Sequence, residues 1–160
     1  MKYGDFSPIS FLTWNLYLGA DITPLLKTQS NQLSSQVTNV FRHVLATNFP
    51  LRAKAIARSI AMKKPDLIGL QEAVKWQLMY PSNQTVTMDF IQILLMELKK
   101  RGLNYDIAAY NQNVFSEFPD SYGNLIRLLD RDVILIRDHS NLKIINKEET
   151  NFKNNLIIRI

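Results

Sequence analysis

Two short apolar runs in this chain each stop at a polar residue. Ile9-Ser10-Phe11-Leu12-Thr13-Trp14 ends in Asn15, and Leu67-Ile68-Gly69-Leu70 ends in Gln71-Glu72. Apolar runs of this length read as strands, here Ile9–Trp14 and Asp66–Gln71. Between them, Leu51–Lys63 reads as a helix with Ala55, Ile56 and Ile60 as its inward stripe. Arg52, Lys54, Arg58, Lys63 and Lys64 fill its outer side as a solvated face, and Pro65 ends it. A strand, a helical crossover and a second strand imply a parallel pair with a right-handed connection. Both C-terminal ends then lie at one sheet edge, which makes Asn15 and Glu72 neighbours in space.

The remaining pattern predicts further elements. Asp21 before Ile22-Thr23-Pro24 marks an N-cap with proline in the first turn. Gln29–Gln36 is polar and reads as a loop. Val37–Ala46 reads as a helix with Val37, Val40, Phe41, Val44 and Leu45 on one face, broken by Phe49-Pro50. Trp76–Val86, containing Pro81-Ser82-Asn83, reads as a loop. Met88–Arg101 reads as a helix that buries Phe90, Ile91, Leu94, Leu95 and Leu98, with Lys99-Lys100-Arg101 in its last turn and Gly102 as its stop. Tyr105–Tyr110 reads as a strand, Asn111–Asn124 as a long polar loop and Val133–Ile136 as a central strand. Leu142–Ile145 and Leu156–Ile160 are further strand candidates. The expected core includes Leu67, Ile68, Leu70, Leu94, Leu95, Val133 and Leu135. The fold class expected is α/β (α+β), one mixed sheet with covering helices, in a single domain over residues 1–160.

Composition narrows the function classes. The chain has 160 residues, 46% hydrophobic and 21% charged, which is ordinary for a globular domain rather than a disordered one. It has no cysteine, which excludes disulfides and cysteine-ligated zinc. No apolar run approaches the roughly 20 residues that span a bilayer. Met1-Lys2-Tyr3-Gly4-Asp5 starts without a signal-peptide core, so classical secretion is not expected and the cytoplasm is the default. The net charge of +5 suits partners that carry phosphate, nucleic acid or anionic lipid.

Glu72 alone reads as a solvated or turn-capping carboxylate, and Asn15 alone as a turn residue. Together they acquire a chemistry. Mg²⁺ is held by one or two protein carboxylates, with water and substrate phosphate completing its shell. A neutral amide beside it hydrogen-bonds a phosphate or a carboxylate without adding charge. The pair fits one corner of a metal-assisted phosphodiester site.

Thr13-Trp14-Asn15, Leu70-Gln71-Glu72 and Arg131-Asp132-Val133-Ile134-Leu135, in that order, resemble the endonuclease/exonuclease/phosphatase (DNase I-like) family. Gly19-Ala20-Asp21 and the helix before the second strand add to the likeness. It runs along nearly the whole chain and corresponds to about the first half of the family domain. The resemblance implies part of a four-layer αββα sandwich and a Mg²⁺-dependent phosphodiesterase or phosphatase. It puts Asn15 at an asparagine that orients the site and Glu72 at the metal-binding glutamate. Arg131 falls near a basic residue that some members use against phosphate; an ion pair with Asp130 or Asp132 is the other reading. Nucleic acid, a sphingomyelin-type phospholipid and a phosphoinositide are the implied substrate classes.

The family's Asp-x-Asn pair, its second Asp and its closing Asp-His are not found. Gly4-Asp5-Phe6-Ser7 and Asp138-His139 resemble two of them but stand at the wrong places; Arg137–Asn141 reads as a turn, and His43 as a structural residue of its helix. The expectation is therefore a truncated domain, inactive as the isolated chain, whose uncovered sheet favours self-association. A non-catalytic remnant or binding scaffold of the same fold is the alternative.

Overall fold

The computed structural model describes residues 8–138 and 140–151. Its elements are β1 (Phe11–Asn15), α1 (Thr23–Lys27), a 3-10 turn (Ser30–Gln32), α2 (Leu33–Ala46), α3 (Phe49–Lys63), β2 (Leu67–Gln71), β3 (Lys75–Met79), β4 (Thr85–Asp89), α4 (Phe90–Lys99), β5 (Tyr105–Pro119) and β6 (Leu125–Arg137). They form a mixed α and β fold built on one mixed six-stranded sheet. β1 and β2 are the parallel pair, in register from Phe11 opposite Leu67 to Asn15 opposite Gln71. The other ladders are antiparallel.

The long strand β6 is the spine of the sheet. β5 runs along one side of it from Tyr105 to Pro119. β2 and β3 lie end to end along the other side, with Leu70 opposite Val133 and Lys75 opposite Leu129. Residues 71–74 thus face residues 130–132, one residue more on the β2–β3 side. Such an extra residue bulges the strand and re-aims its side chains. Inward-facing positions on β6 change from Ile126 and Leu128 to Val133 and Leu135 across the same point.

One sheet face is covered by helices. Ile68, Leu70, Trp76, Val133 and Leu135 join Val44, Ile60, Leu94 and Leu98 in a single core. α3 and α4 are locked together by Phe49 and Phe90, whose rings stack with centroids 3.6 Å apart. Both side chains are fully buried, and each such burial contributes about 1.5–3 kcal/mol. Of the expected core residues, Ile68, Leu70, Leu94, Val133 and Leu135 are buried, while Leu67 and Leu95 are half-buried.

Several expected boundaries are corrected. Phe49-Pro50 does end α2, but it also begins α3. Asn48 caps that helix by accepting a hydrogen bond from Leu51 N–H at 3.2 Å, and Pro50 sits in the first turn, where a missing N–H costs nothing. α3 faces the core with Ala53, Ile56, Ala57 and Ile60, and Ala55 is exposed. The Gln29–Gln36 segment is not a loop; it holds the 3-10 turn and the start of α2. Asp21 accepts from Thr23 N–H at 2.8 Å but stands one residue ahead of the helix cap. Met88 and Asp89 belong to β4, and Asp89 caps α4.

The loops expected over Trp76–Val86 and Asn111–Asn124 are hairpins. Only Tyr80–Gln84 and Asp120–Asn124 turn, with Asn83 and Gly123 at positive φ. β4 and β5 are edge strands, while β3 pairs with both β4 and β6 and buries Trp76. The polar and turn-forming residues of each hairpin hide the short apolar contribution of its strands, chiefly Trp76, Leu78, Met88 and Phe118. Val133–Ile136 is the end of a much longer strand, β6. Leu142–Ile145 forms no strand; Leu156–Ile160 lies outside the described residues. Among the described residues, no helix is long and apolar enough to cross a membrane.

Candidate functional site

The parallel register of β1 and β2 ends at Asn15 opposite Gln71, and the ladder runs one step further through Leu16 N–H to Gln71 O at 2.9 Å. The β1 side then leaves the sheet, while the β2 side bulges and stays on β6 through Ala73 N–H to Arg131 O at 2.9 Å. The β1 side passes through Tyr17 at φ 57° and the β2 side through Glu72 at φ 51°. These left-handed conformations are uncommon for residues with a Cβ and mark places the surroundings hold under constraint.

What holds them is the expected pair. Asn15 Nδ2 donates to Glu72 Oε1 at 2.8 Å. Leu18 N–H donates to Glu72 Oε2 at 2.6 Å, and Tyr17 N–H to Asn15 Oδ1 at 2.7 Å. Glu72 therefore ties the β2–β3 bulge to the loop after β1. Each carboxylate oxygen accepts one of these bonds and keeps a further lone pair.

Arg52 supports the loop from below. Its guanidinium donates to the carbonyls of Leu16 at 2.6 Å, Tyr17 at 3.1 Å and Thr47 at 3.1 Å, and lies over the Phe49 and Phe90 rings. Burial pushes its pKa down. This residue is not part of a solvated face, as the charge pattern of α3 suggested; it turns inward because three unpaired carbonyls await it. Trp76 completes the support, donating from Nε1 to Leu18 O at 2.9 Å.

Arg131 is placed differently from either reading. Its ion pair is with Asp89, at 2.8 Å, rather than with Asp130 or Asp132, and its Nε donates to Ala73 O at 3.0 Å. It braces the bulge against the cap of α4. Both partners are largely buried, so this guanidinium is committed to the fold.

Asp130 is the group that the sequence pattern did not single out. It lies in β6 across from the bulge and accepts from Asn113 Nδ2 at 3.3 Å, while its Oδ1 is buried with no hydrogen-bond partner among the described residues. Its pKa is raised, chiefly by burial, with the charges of Asp132 and Glu72 adding to the rise. A carboxylate electrostatically coupled to Glu72 thus stands near the tie. Nothing in Leu129-Asp130-Arg131 signals this, because it depends on the bulge.

The other candidates stay apart. His43 is exposed near the end of α2. Asp138 lies in the turn after β6, its N–H donating to Asn104 O at 2.9 Å. Gly4 to Ser7 and His139 lie outside the described residues. Among the described residues, no group of three or more His, Cys, Asp or Glu is placed to hold a metal. The donor set of Glu72 fits the smallest protein share of a Mg²⁺ shell, one carboxylate with free lone pairs, the rest falling to water and phosphate.

No family model, curated protein or solved structure matches this chain.

Proposed function

We propose that this chain carries the cation- and phosphate-binding corner of a Mg²⁺-dependent phosphodiester hydrolase of the endonuclease/exonuclease/phosphatase (DNase I-like) type. One observation carries the reading: the 2.8 Å contact between Asn15 and Glu72 where two parallel strands end. Glu72 is the residue that would hold the cation, and a bound Mg²⁺ would supply charge neutralisation on the phosphate. Asn15 orients the carboxylate through one amide hydrogen and keeps a second for a phosphate oxygen. Leu18 N–H fixes the other carboxylate oxygen. Nucleic acid and phospholipid are the substrate classes in view.

The described residues offer no histidine beside Glu72 to act as a base. General acid–base groups contribute about 10²–10⁴-fold, so turnover by the chain alone is expected to be negligible. The rival reading makes Glu72 a structural tie only, a remnant of the fold without ligand. It is favoured by the fact that both oxygens already accept protein hydrogen bonds.

Mn²⁺ as a paramagnetic stand-in separates the two. Selective broadening of the Asn15, Leu18 and Glu72 resonances, absent in Glu72→Ala, supports the cation site. No local broadening at millimolar Mn²⁺ leaves the structural tie. In parallel, plasmid DNA, sphingomyelin and a chromogenic phosphodiester are assayed with Mg²⁺. Turnover above blank that Glu72→Ala abolishes would overturn the expectation of an inactive chain.

A further inference from the structure

α1 packs beside α2 without burying any of its own residues. Beneath it lies a cavity of about 370 Å³, walled by Ile22 and Leu25 from the α1 region, Val40 from α2, Trp76 from β3, and Phe118 and Leu128 from the β5–β6 hairpin. Ser116 brings the only hydroxyl to the lining, and the Trp76 N–H is already spent on Leu18 O. Protein interiors rarely leave voids larger than a water molecule. The lining is mostly apolar, and apolar voids of ~150 Å³ take up a benzene-sized guest. The space here is more than twice that, room for a chain of roughly ten to twelve carbons.

The rim shows what kind of molecule fits. Leu26, Val114 and Phe115 leave much of their apolar surface exposed at the edge of the cavity. Lys27 follows Leu26 in the last turn of α1, and Arg42 of α2 reaches the β5–β6 turn through Tyr122. Neither cation makes an ion pair among the described residues, although Asp21 lies within electrostatic reach of Lys27. Of the carboxylates on the hairpin, Glu117 is paired with Arg127, and Asp120 accepts from Tyr122 and Asn124 N–H groups. An apolar interior with Lys27 next in the chain to the lining residue Leu26, and Arg42 two positions beyond the lining residue Val40, complements a chain with an anionic head.

We propose that this cavity binds the aliphatic chain of a single-chain anionic amphiphile of the fatty-acid type, with its carboxylate at Lys27. The site is independent of any cation at Glu72, so either can fail without the other. It is still connected to it, since Trp76 walls the cavity and holds the carbonyl of Leu18, whose N–H holds Glu72.

The test is calorimetric titration with dodecanoate below its micelle concentration. The expected result is saturable binding of one molecule per chain, with a rise in thermal midpoint. Val40→Phe and Ser116→Leu, each placing extra carbons in the cavity, are expected to weaken binding at least tenfold while melting cooperatively. Lys27→Gln, on the surface, is expected to weaken it severalfold and keeps the test open if neither filled variant folds. Absence of saturable binding by the unaltered chain overturns the proposal, as does unchanged affinity in all three variants. Equal affinity for dodecanol overturns the anionic head. Binding to phosphatidylglycerol vesicles without binding of free dodecanoate would make the rim a membrane-docking surface instead.

Discussion

Glu72 does two things at once: its backbone takes the left-handed turn of a bulge and its carboxylate ties two loops. Left-handed φ costs a residue with a Cβ about 1–2 kcal/mol. Glu72→Ala removes the tie and keeps the strain, while Glu72→Gly removes both. The glycine variant is therefore expected to be the more stable of the two by ~1 kcal/mol in urea unfolding. Two aspartates have opposite pH signatures. Asp66 accepts from Ser10 N–H and Oγ at 2.8 and 2.7 Å and pairs with Arg137, which together lower its pKa to about 2. Its folded value lies below its unfolded one, so its contribution to stability is present above about pH 4 and is lost as pH falls toward 2. Asp66→Asn is expected to destabilise the chain at pH 7 and to flatten the acid limb of a stability–pH curve. Asp130, raised by burial, behaves the other way: it costs stability as pH rises through its folded value. Asp130→Asn is expected to raise the pH 7 denaturation midpoint, and the gain should vanish at low pH, where the native carboxyl is protonated.

At the scale of elements, the α3–α4 pair carries the helical layer. Phe49 and Phe90 stack at 3.6 Å with neither ring exposed. Truncation of either to alanine is expected to cost about 3–5 kcal/mol, read as a lower urea midpoint at unchanged m-value. The double variant should cost less than the sum, because the second truncation removes a ring that has already lost its partner. The β5–β6 hairpin is held differently, by a ladder broken by irregularities at Ala108 and Asn113. Those irregularities twist it, and the second one brings Asn113 to Asp130.

At the scale of the molecule, no helix or strand among the described residues covers the outer face of the sheet. Only the irregular segment at residues 148–151 lies beside it, walling a pocket with Gly69, Gln71 and Ile134 and hydrogen-bonding β5. Phe11, Leu67 and Ile136 share one row of this face and Ile134 the next, with Phe11 71% and Ile134 47% exposed. β1 pairs on one side only, so its other edge is open among the described residues. Exposed apolar faces and open edges both invite pairing. Light scattering is expected to show concentration-dependent association that Phe11→Lys reduces without lowering the melting temperature. A stable monomer at high concentration would count against it.

The local pattern was enough to determine the parallel β1–β2 pair, the crossover helix between them, and the meeting of Asn15 with Glu72. Each follows from short-range features: apolar runs of strand length, a helical stripe closed by proline, and the single hand that a crossover allows. The pattern also pointed to most of the core of α4 and β6, where burial enforces periodicity. Strands β3, β4 and the outer half of β5 were not legible, because each puts only one or two apolar side chains into the core, too few to show an alternation: Trp76 and Leu78 from β3, Met88 from β4 and Phe118 from β5. The inward turn of Arg52, the commitment of Arg131 to Asp89 and the coupling of Asp130 to Glu72 were decided only by tertiary structure. The last two depend on one extra residue between β2 and β3, and a bulge is set by how two strands fit a third rather than by its own sequence. Arg52 depends on carbonyls of the loop after β1 and of the end of α2, brought to it only by the fold.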